Sequence, residues 1–359
     1  MRKTDIDTPA IVVDLSVMER NIDTMVHFVK SKNIRLRPHF KTPKTPAIAW
    51  KEIRAGANGV CCQKLGEAEV CAMAGIDDIL ITNEVVEAQK IDRLIGLTKH
   101  VQDLKVNVDN PINVRALSEA ARSKNTKLGV VAELEVGQER CGVVPGKDTL
   151  SLVKQISESP GLVFRGIQGY AGHLMTLDQR EGFEKKRLEC ERVNTLLVNT
   201  KDMIEDAGIH VEMMTGAGTG TYKLQYEALS EVQCGSFPLM DWTYNVSAPE
   251  FDIAMIVLAT VISTPLSTRV VTDCGWKTIS TDHGQPKIRG RDDLEYRTKG
   301  DEHGVVSSAR GPIGLNLGDK IELHTSHVCT TINLHDRIYG VRDNEIEVIW
   351  PILARGRSQ

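Results

Sequence analysis

From residue 15 to about 245 the chain alternates two textures, short apolar runs rich in β-branched residues and longer stretches whose apolar positions recur every three to four residues. The runs are "IRLRPHFK", "GVCCQKL", "DILITNEVV", "LKVNVDN", "LGVVAELEVG", "FRGIQGYAGH", "HVEMMTGAG" and "SEVQCGSF". Between them lie helical patterns such as "DLSVMERNIDTMVHFVKSKN", "NPINVRALSEAARSK" and the charged "DQREGFEKKRLECERVNTLLVNTKDMIEDAG". Eight strands, each paired with a helix, predict a (β/α)8 barrel over residues 15–245, of class α/β. An open doubly wound sheet is the alternative, but it usually needs fewer strands, and no GxGxxG follows the first one. Beyond 245 the segments "AMIVLATVIST", "TRVVTDCGW", "DKIELHTSHV", "RIYGVR" and "EIEVIWPILA" are strand-like with little helical periodicity, which predicts a β domain over 246–359. The early "PAIVVDL" is expected to pair with that sheet, adding residues 1–14 to the second domain.

Composition narrows the function classes. Of 359 residues, 41% are hydrophobic and 26% charged, and the net charge of -4 offers no basic face for nucleic acid; a small-molecule partner or a second copy of the chain is expected. "IAMIVLATVI" is about half the length of a membrane helix and reads as a buried strand, so no membrane span is expected. The start, "MRKTDIDTPAIVVDL", reaches two aspartates before any apolar run and does not read as a secretory signal. The 8 cysteines are scattered without a CxxC pair, as suits reduced thiols in a cytoplasmic chain.

In a (β/α)8 barrel the residues just past the strands form one neighbourhood. Lys41 ends the first run, Asn83 follows the third and Asp109 ends the fourth. Arg140 follows the fifth, Tyr170 and His173 the sixth, and Thr215 to Thr221 the seventh, while Gln233, Gly235 and Ser236 close the eighth. "TGAGTGT" (215–221) is either a tight turn or an anion cradle, with amides near Gly218 and Thr219 converging on a phosphate. Barrels often bind phosphate after strands seven and eight. A phosphate site opposite the crowded Lys41 suggests pyridoxal 5'-phosphate (PLP) held as an imine, with Arg37, His39 and Lys44 expected to be the cations that make the amine nucleophilic.

The motifs "RPHFKTPK", "GVCCQKLGEAE", "ITNEVV", "ELEVGQERCGV", "TGAGTGT", "QCGSFPLMD", "DEHGVV" and "SHVCTTINLHD", in this order, resemble the D-threonine aldolase and D-serine dehydratase group of fold-type III PLP enzymes, related to alanine racemase. The resemblance covers nearly the whole chain. It implies a barrel plus β domain, usually as a homodimer, with a divalent metal beside the cofactor and action on β-hydroxy-D-amino acids. It makes Lys41 the cofactor lysine, brings Arg140 to the phenolic oxygen and sets Gln233 against the pyridine nitrogen, where a neutral amide gives only a moderate electron sink. It also places His327 and Cys329 at the metal positions, two residues apart and on one face if that stretch is extended; imidazole with thiolate favours zinc over a harder ion such as manganese. Without the resemblance the pair reads as a packed thiol near a satisfied histidine.

Two departures stand out. Pro43 replaces a histidine that aldolases of this group often carry, and Ala171 replaces the one after the tyrosine, so His173 becomes the candidate base. The leading expectation is a D-threonine aldolase-like lyase. A dehydratase acting on D-serine, D-threonine or 3-hydroxy-D-aspartate is the near rival, and a PLP carrier without turnover or a metal-only barrel hydrolase the more distant ones.

Overall fold

The computed structural model describes residues 1–359. They form two compact units, one of residues 26–41, 48–235 and 357–359, the other of residues 1–25, 42–47 and 236–356. The division thus falls at 235/236 rather than 245, and the short segment 42–47, directly after Lys41, belongs to the second unit.

The first strand, β1 (Ala10–Asp14), lies in the second unit. The first unit contains β2 (Arg35–Leu36), β3 (Val60–Cys62), β4 (Asp78–Glu84), β5 (Asp103–Val108), β6 (Leu128–Glu133), β7 (Leu162–Gly169), β8 (Met213–Gly216) and β9 (Glu231–Val232), one in each of the eight apolar runs. All pair in parallel, in the order β2-β9-β8-β7-β6-β5-β4-β3. The ring closes where the chain beyond β2 meets β3: Phe40 N–H donates to Cys61 O at 2.7 Å and Cys61 N–H to Pro38 O at 2.8 Å. The long charged pattern after β7 does not make one helix. It breaks into Leu177–Glu181 and Phe183–Asp206 at Gly182, whose φ of 87° is a left-handed conformation that suits glycine. No helix is long and apolar enough to cross a membrane.

In the second unit β1 is central. It runs antiparallel to β10 (Met255–Leu266), with Ala10 opposite Leu258, and parallel to a strand at Arg337–Arg342, with Ile11 opposite Ile338. The strand Lys320–His324 pairs with the other edge of β10. Val257, Ala259, Val261, Ile321 and Leu323 pack one core of this unit, and Ile6, Val12, Ile256 and Leu258 a second, as the alternation of side chains along β10 requires.

Candidate active site

The chain stays extended beyond β2. The N–H groups of Arg37 and His39 donate to Val232 O and Cys234 O at 3.0 and 3.1 Å, so their side chains leave on the same side. Arg37 is 2% exposed and grips Asp78 through both terminal nitrogens, at 2.6 and 3.0 Å, and Glu231 through Nε at 2.9 Å. Lys105 Nζ adds a contact to Asp78 at 2.8 Å. The guanidinium charge is therefore spent on two carboxylates, the buried Glu231 and the half-buried Asp78. His39 accepts the Lys41 N–H on Nδ1 at 3.4 Å and lies 3.1 Å from Thr82 Oγ1 through Nε2. An accepting Nδ1 makes the ring neutral, so Nε2–H is the donor to Thr82. Lys44 lies in the other unit, in a turn of φ 47°. The expected collar of cations is instead a backbone clamp beside a buried ion network.

Tyr170, just past β7, gathers two of the expected residues. Lys41 Nζ lies 5.5 Å, and Arg140 Cζ 5.6 Å, from the centre of its ring. Arg140 is tethered by its own N–H to Glu135 at 3.1 Å, and its Nη2 is 3.8 Å from Glu133 at the end of β6. Glu133 is buried and accepts from Asn107 Nδ2 at 2.7 Å. Burial, then the nearby Glu84 carboxyl, push its pKa up to about 7.

The glycine-rich loop is shaped by what packs on it. A Cβ on Gly216 would lie 2.4 Å from Gly169 O, one on Gly218 2.6 Å from Met175 Cε, and one on Gly220 2.3 Å from Met175 O. The Met175 carbonyl is itself held by Lys186 Nζ at 3.0 Å. Gly218 N–H donates to Thr221 Oγ1 at 3.2 Å, so Gly218 shapes the loop and does not contribute its own amide to an anion. Thr219 is buried in the same turn, in which Ala217 takes a left-handed φ of 58°.

Gln233, one residue past β9, donates from Nε2 to Gln168 Oε1 at 2.8 Å and to Thr215 Oγ1 at 2.9 Å. Thr215 in turn donates to Glu231 Oε1 at 3.1 Å. The chain passes from the first unit to the second between Gly235 and Ser236, and the Ser236 carbonyl accepts the Met240 N–H at 2.7 Å. His173 keeps other company. A Cβ on Gly137 would lie 3.5 Å from its Nε2 and 2.8 Å from Arg192 Nη2, its Nδ1 is buried without a partner, and burial followed by the Arg192 charge lowers its pKa.

In the second unit His327 and Cys329 are not on an extended stretch. His327 is the N-terminal cap of a short helix, Val328–Ile332, and Cys329 lies in its first turn. The helix start is fixed by the buried Asp241, which accepts Val328 N–H at 2.9 Å and Tyr244 N–H at 2.8 Å. Asp282 Oδ2 sits 2.6 Å from His327 Nδ1. Burial lowers the imidazole pKa, but the hydrogen bonds to Asp282 and Cys329 outweigh it and push it up to about 10, with Asp282 held well below the usual carboxylate range. Nδ1–H donates to Asp282, and an ion at Nε2 would take the place of the second ring proton. Cys329 Sγ is 3.2 Å from Thr42 Oγ1.

Asp282, His283 and His327 have ligand atoms within 4.8 Å of one another. The two imidazoles, however, stack with ring centres 4.1 Å apart and planes 3° apart. Nitrogen lone pairs lie in the ring plane, so one ion cannot sit in both planes, and Asp282 is already engaged. His327 and Cys329 remain the better donor set, of the imidazole and thiolate type that suits zinc.

Sequence reasoning brought out Lys41, Tyr170, Arg140, Gln233, His327 and Cys329. It missed Asp282, which precedes His327 by 45 residues in the turn "STDHGQP", and it misread His39; the Asp-His pair in a polar turn was the only local signal.

Comparison with known proteins agrees with this fold. The alanine racemase N-terminal domain family matches residues 13–240, and the putative serine dehydratase domain family residues 254–341. A D-threonine aldolase of Arthrobacter sp is 38% identical over 99% of this chain and 94% of its own length. A 3-hydroxy-D-aspartate aldolase of Paracoccus denitrificans (strain Pd 1222) is 36% identical over 100% and 94%. A D-threo-3-hydroxyaspartate dehydratase of Delftia sp. (strain HT23) is 28% identical over 91% and 92%. The crystal structure of D-threonine aldolase from Filomicrobium marinum superposes with a TM-score of 0.94 at 37% identity, covering 98% of this chain and 97% of that one. The chain therefore belongs to the alanine racemase-like, fold-type III family of PLP enzymes and, within it, to the D-threonine aldolase and D-serine dehydratase group.

Proposed function

We propose that the chain is a PLP- and divalent-metal-dependent lyase that cleaves a β-hydroxy-D-amino acid of the D-threonine class between Cα and Cβ, giving glycine and an aldehyde. The observation that carries this reading is Tyr170 with Lys41 and Arg140 at its ring, in a chain similar over its full length to aldolases and less so to a dehydratase. The reaction balances without a co-reactant: the Cα–Cβ bond breaks, the hydroxyl loses its proton as it becomes a carbonyl, and Cα gains one.

The residues fit both groups. Lys41 Nζ is the covalent attachment point, on a backbone held by His39, with Arg140 and the amide of Gln233 as polar contacts for the ring. The turn Thr215–Thr219 and the Gly235–Ser236 pair offer backbone amides and hydroxyls for the phosphate. When bound, the cofactor supplies an electron-accepting ring that stabilises negative charge at the substrate's Cα. A zinc-type ion on His327 and Cys329 would supply positive charge for the substrate's hydroxyl and carboxylate.

The residues do the rest. Asp282 fixes the His327 tautomer, Thr42 hydrogen-bonds the Cys329 sulfur, and Lys41 Nζ moves a proton at Cα. His173, whose pKa burial and then Arg192 lower, is the candidate acceptor of the hydroxyl proton, although its ring lies beside Gly137 and Arg192. The His-x-Cys pair, which resembles the dehydratase branch, favours one second reading, loss of water to give a 2-oxo acid and ammonia. Incubation with D-threonine, D-serine and 3-hydroxy-D-aspartate decides between them. Glycine plus an aldehyde supports the aldolase; a 2-oxo acid plus ammonia without glycine overturns it.

A further inference from the structure

The hydrogen bonds around Gln233 settle which way its amide points. Glu231 Oε1 is an acceptor, bonded to Arg37 Nε at 2.9 Å, so the hydroxyl of Thr215 at 3.1 Å must donate to it. A hydroxyl has one hydrogen. Thr215 Oγ1 can then only accept from Gln233 at 2.9 Å, which makes the facing atom the amide nitrogen. The second hydrogen of that nitrogen goes to Gln168 Oε1 at 2.8 Å. Both donors of the Gln233 amide are used inside the barrel, and turning the amide over would take the Thr215 hydrogen away from Glu231. What remains to meet a ligand is Oε1, an acceptor.

We infer that Gln233 presents its carbonyl oxygen to the ring nitrogen of PLP and thereby selects the cofactor with that nitrogen protonated, with Thr215 and Glu231 as the positioning residues that lock the amide. The inference rests on the PLP reading above, and it reverses the expectation that a neutral glutamine makes only a moderate electron sink. An amide nitrogen would offer a hydrogen to an unprotonated pyridine; an amide oxygen has nothing to offer one and accepts a charge-assisted bond from N–H+. The chain Gln233→Thr215→Glu231 ends on a carboxylate, so each bond polarises the next and strengthens the oxygen as an acceptor. A protonated ring draws more charge from the substrate's Cα, as suits breaking a carbon–carbon bond there.

The test is the 15N chemical shift of ring-labelled PLP bound to the full-length protein, at an alkaline pH where the free cofactor in the same buffer is unprotonated. The wild type should show the shift of a protonated nitrogen. Gln233→Glu should keep it and Gln233→Leu should lose it. Thr215→Val, which removes the hydroxyl at nearly constant volume, should lower the apparent pKa of the bound nitrogen by about one unit or more, a change of roughly tenfold in proton affinity. Loss of packing alone would weaken PLP binding without moving that pKa. An unprotonated nitrogen in the wild type overturns the inference, as does a protonated one in both Gln233→Leu and Thr215→Val. A wild type that binds no PLP overturns the functional reading itself, and this inference with it.

Discussion

The main-chain N–H of Lys41 meets Nδ1 of His39 at 3.4 Å, while the far side of the imidazole is held 3.1 Å from Thr82 Oγ1. His39 thus positions the lysine by its backbone and adds no charge. His39→Ala should leave PLP stoichiometry unchanged and lower kcat by about 10- to 100-fold, the scale of a small misplacement of a reacting group. Steady-state kinetics with cofactor content measured on the same sample checks this; unchanged kcat contradicts it.

The contacts on the glycine loop predict an asymmetry. Gly218→Ala pushes on the flexible end of Met175, whereas Gly220→Ala pushes on its backbone carbonyl. Gly218→Ala should therefore weaken PLP affinity modestly, and adding Met175→Ala should restore it. Gly220→Ala should cost about tenfold or more, with no rescue from Met175→Ala, because the carbonyl is still there. Equilibrium dialysis of PLP against the four variants tests both halves.

Glu133 predicts a pH dependence of stability. Its pKa is raised from 4.5 to about 7, by burial and then by Glu84. Between those values the folded chain holds a proton that the unfolded chain has lost, so this group's contribution to stability is present at low pH and is lost as pH rises towards 7. Relative to Glu133→Gln, the wild type should lose up to about 3 kcal/mol across that window and run parallel above it. Urea unfolding of both proteins at a series of pH values measures the difference. A parallel pair of curves throughout contradicts the assignment.

The metal site gives a fourth prediction. Chelation should abolish turnover yet leave PLP bound, since His327 and Cys329 are assigned to the substrate's oxygens and not to the cofactor. Loss of that charge should cost roughly three decades in rate. Zinc should restore activity best in the wild type, and Cys329→Asp should shift the preference towards manganese. Full activity after exhaustive chelation contradicts the site.

The barrel was legible because each apolar run carries its own strand, from Arg35–Leu36 to Glu231–Val232, and the early "PAIVVDL" announced its place in the second sheet. The break at Gly182 was not, since one glycine in a charged helical pattern is ordinarily tolerated and only its φ of 87° shows the turn. Strand ends pointed to Lys41, Tyr170, Arg140 and Gln233 by position alone. What position could not show was pairing. Arg37 looked like a partner for Lys41 until Glu231 and Asp78, 194 and 41 residues away in sequence, claimed its guanidinium. The direction of the Gln233 amide likewise depends on Thr215 and Glu231, which only the closed barrel brings together.

Attachment of the cofactor to Lys41 is the claim from which the rest follows. Borohydride reduction of the holoenzyme, proteolysis and mass spectrometry should place a pyridoxyl group on Nζ of Lys41 and on no other lysine. A pyridoxyl group on Lys44, or an active enzyme in which no lysine carries one, would contradict the account.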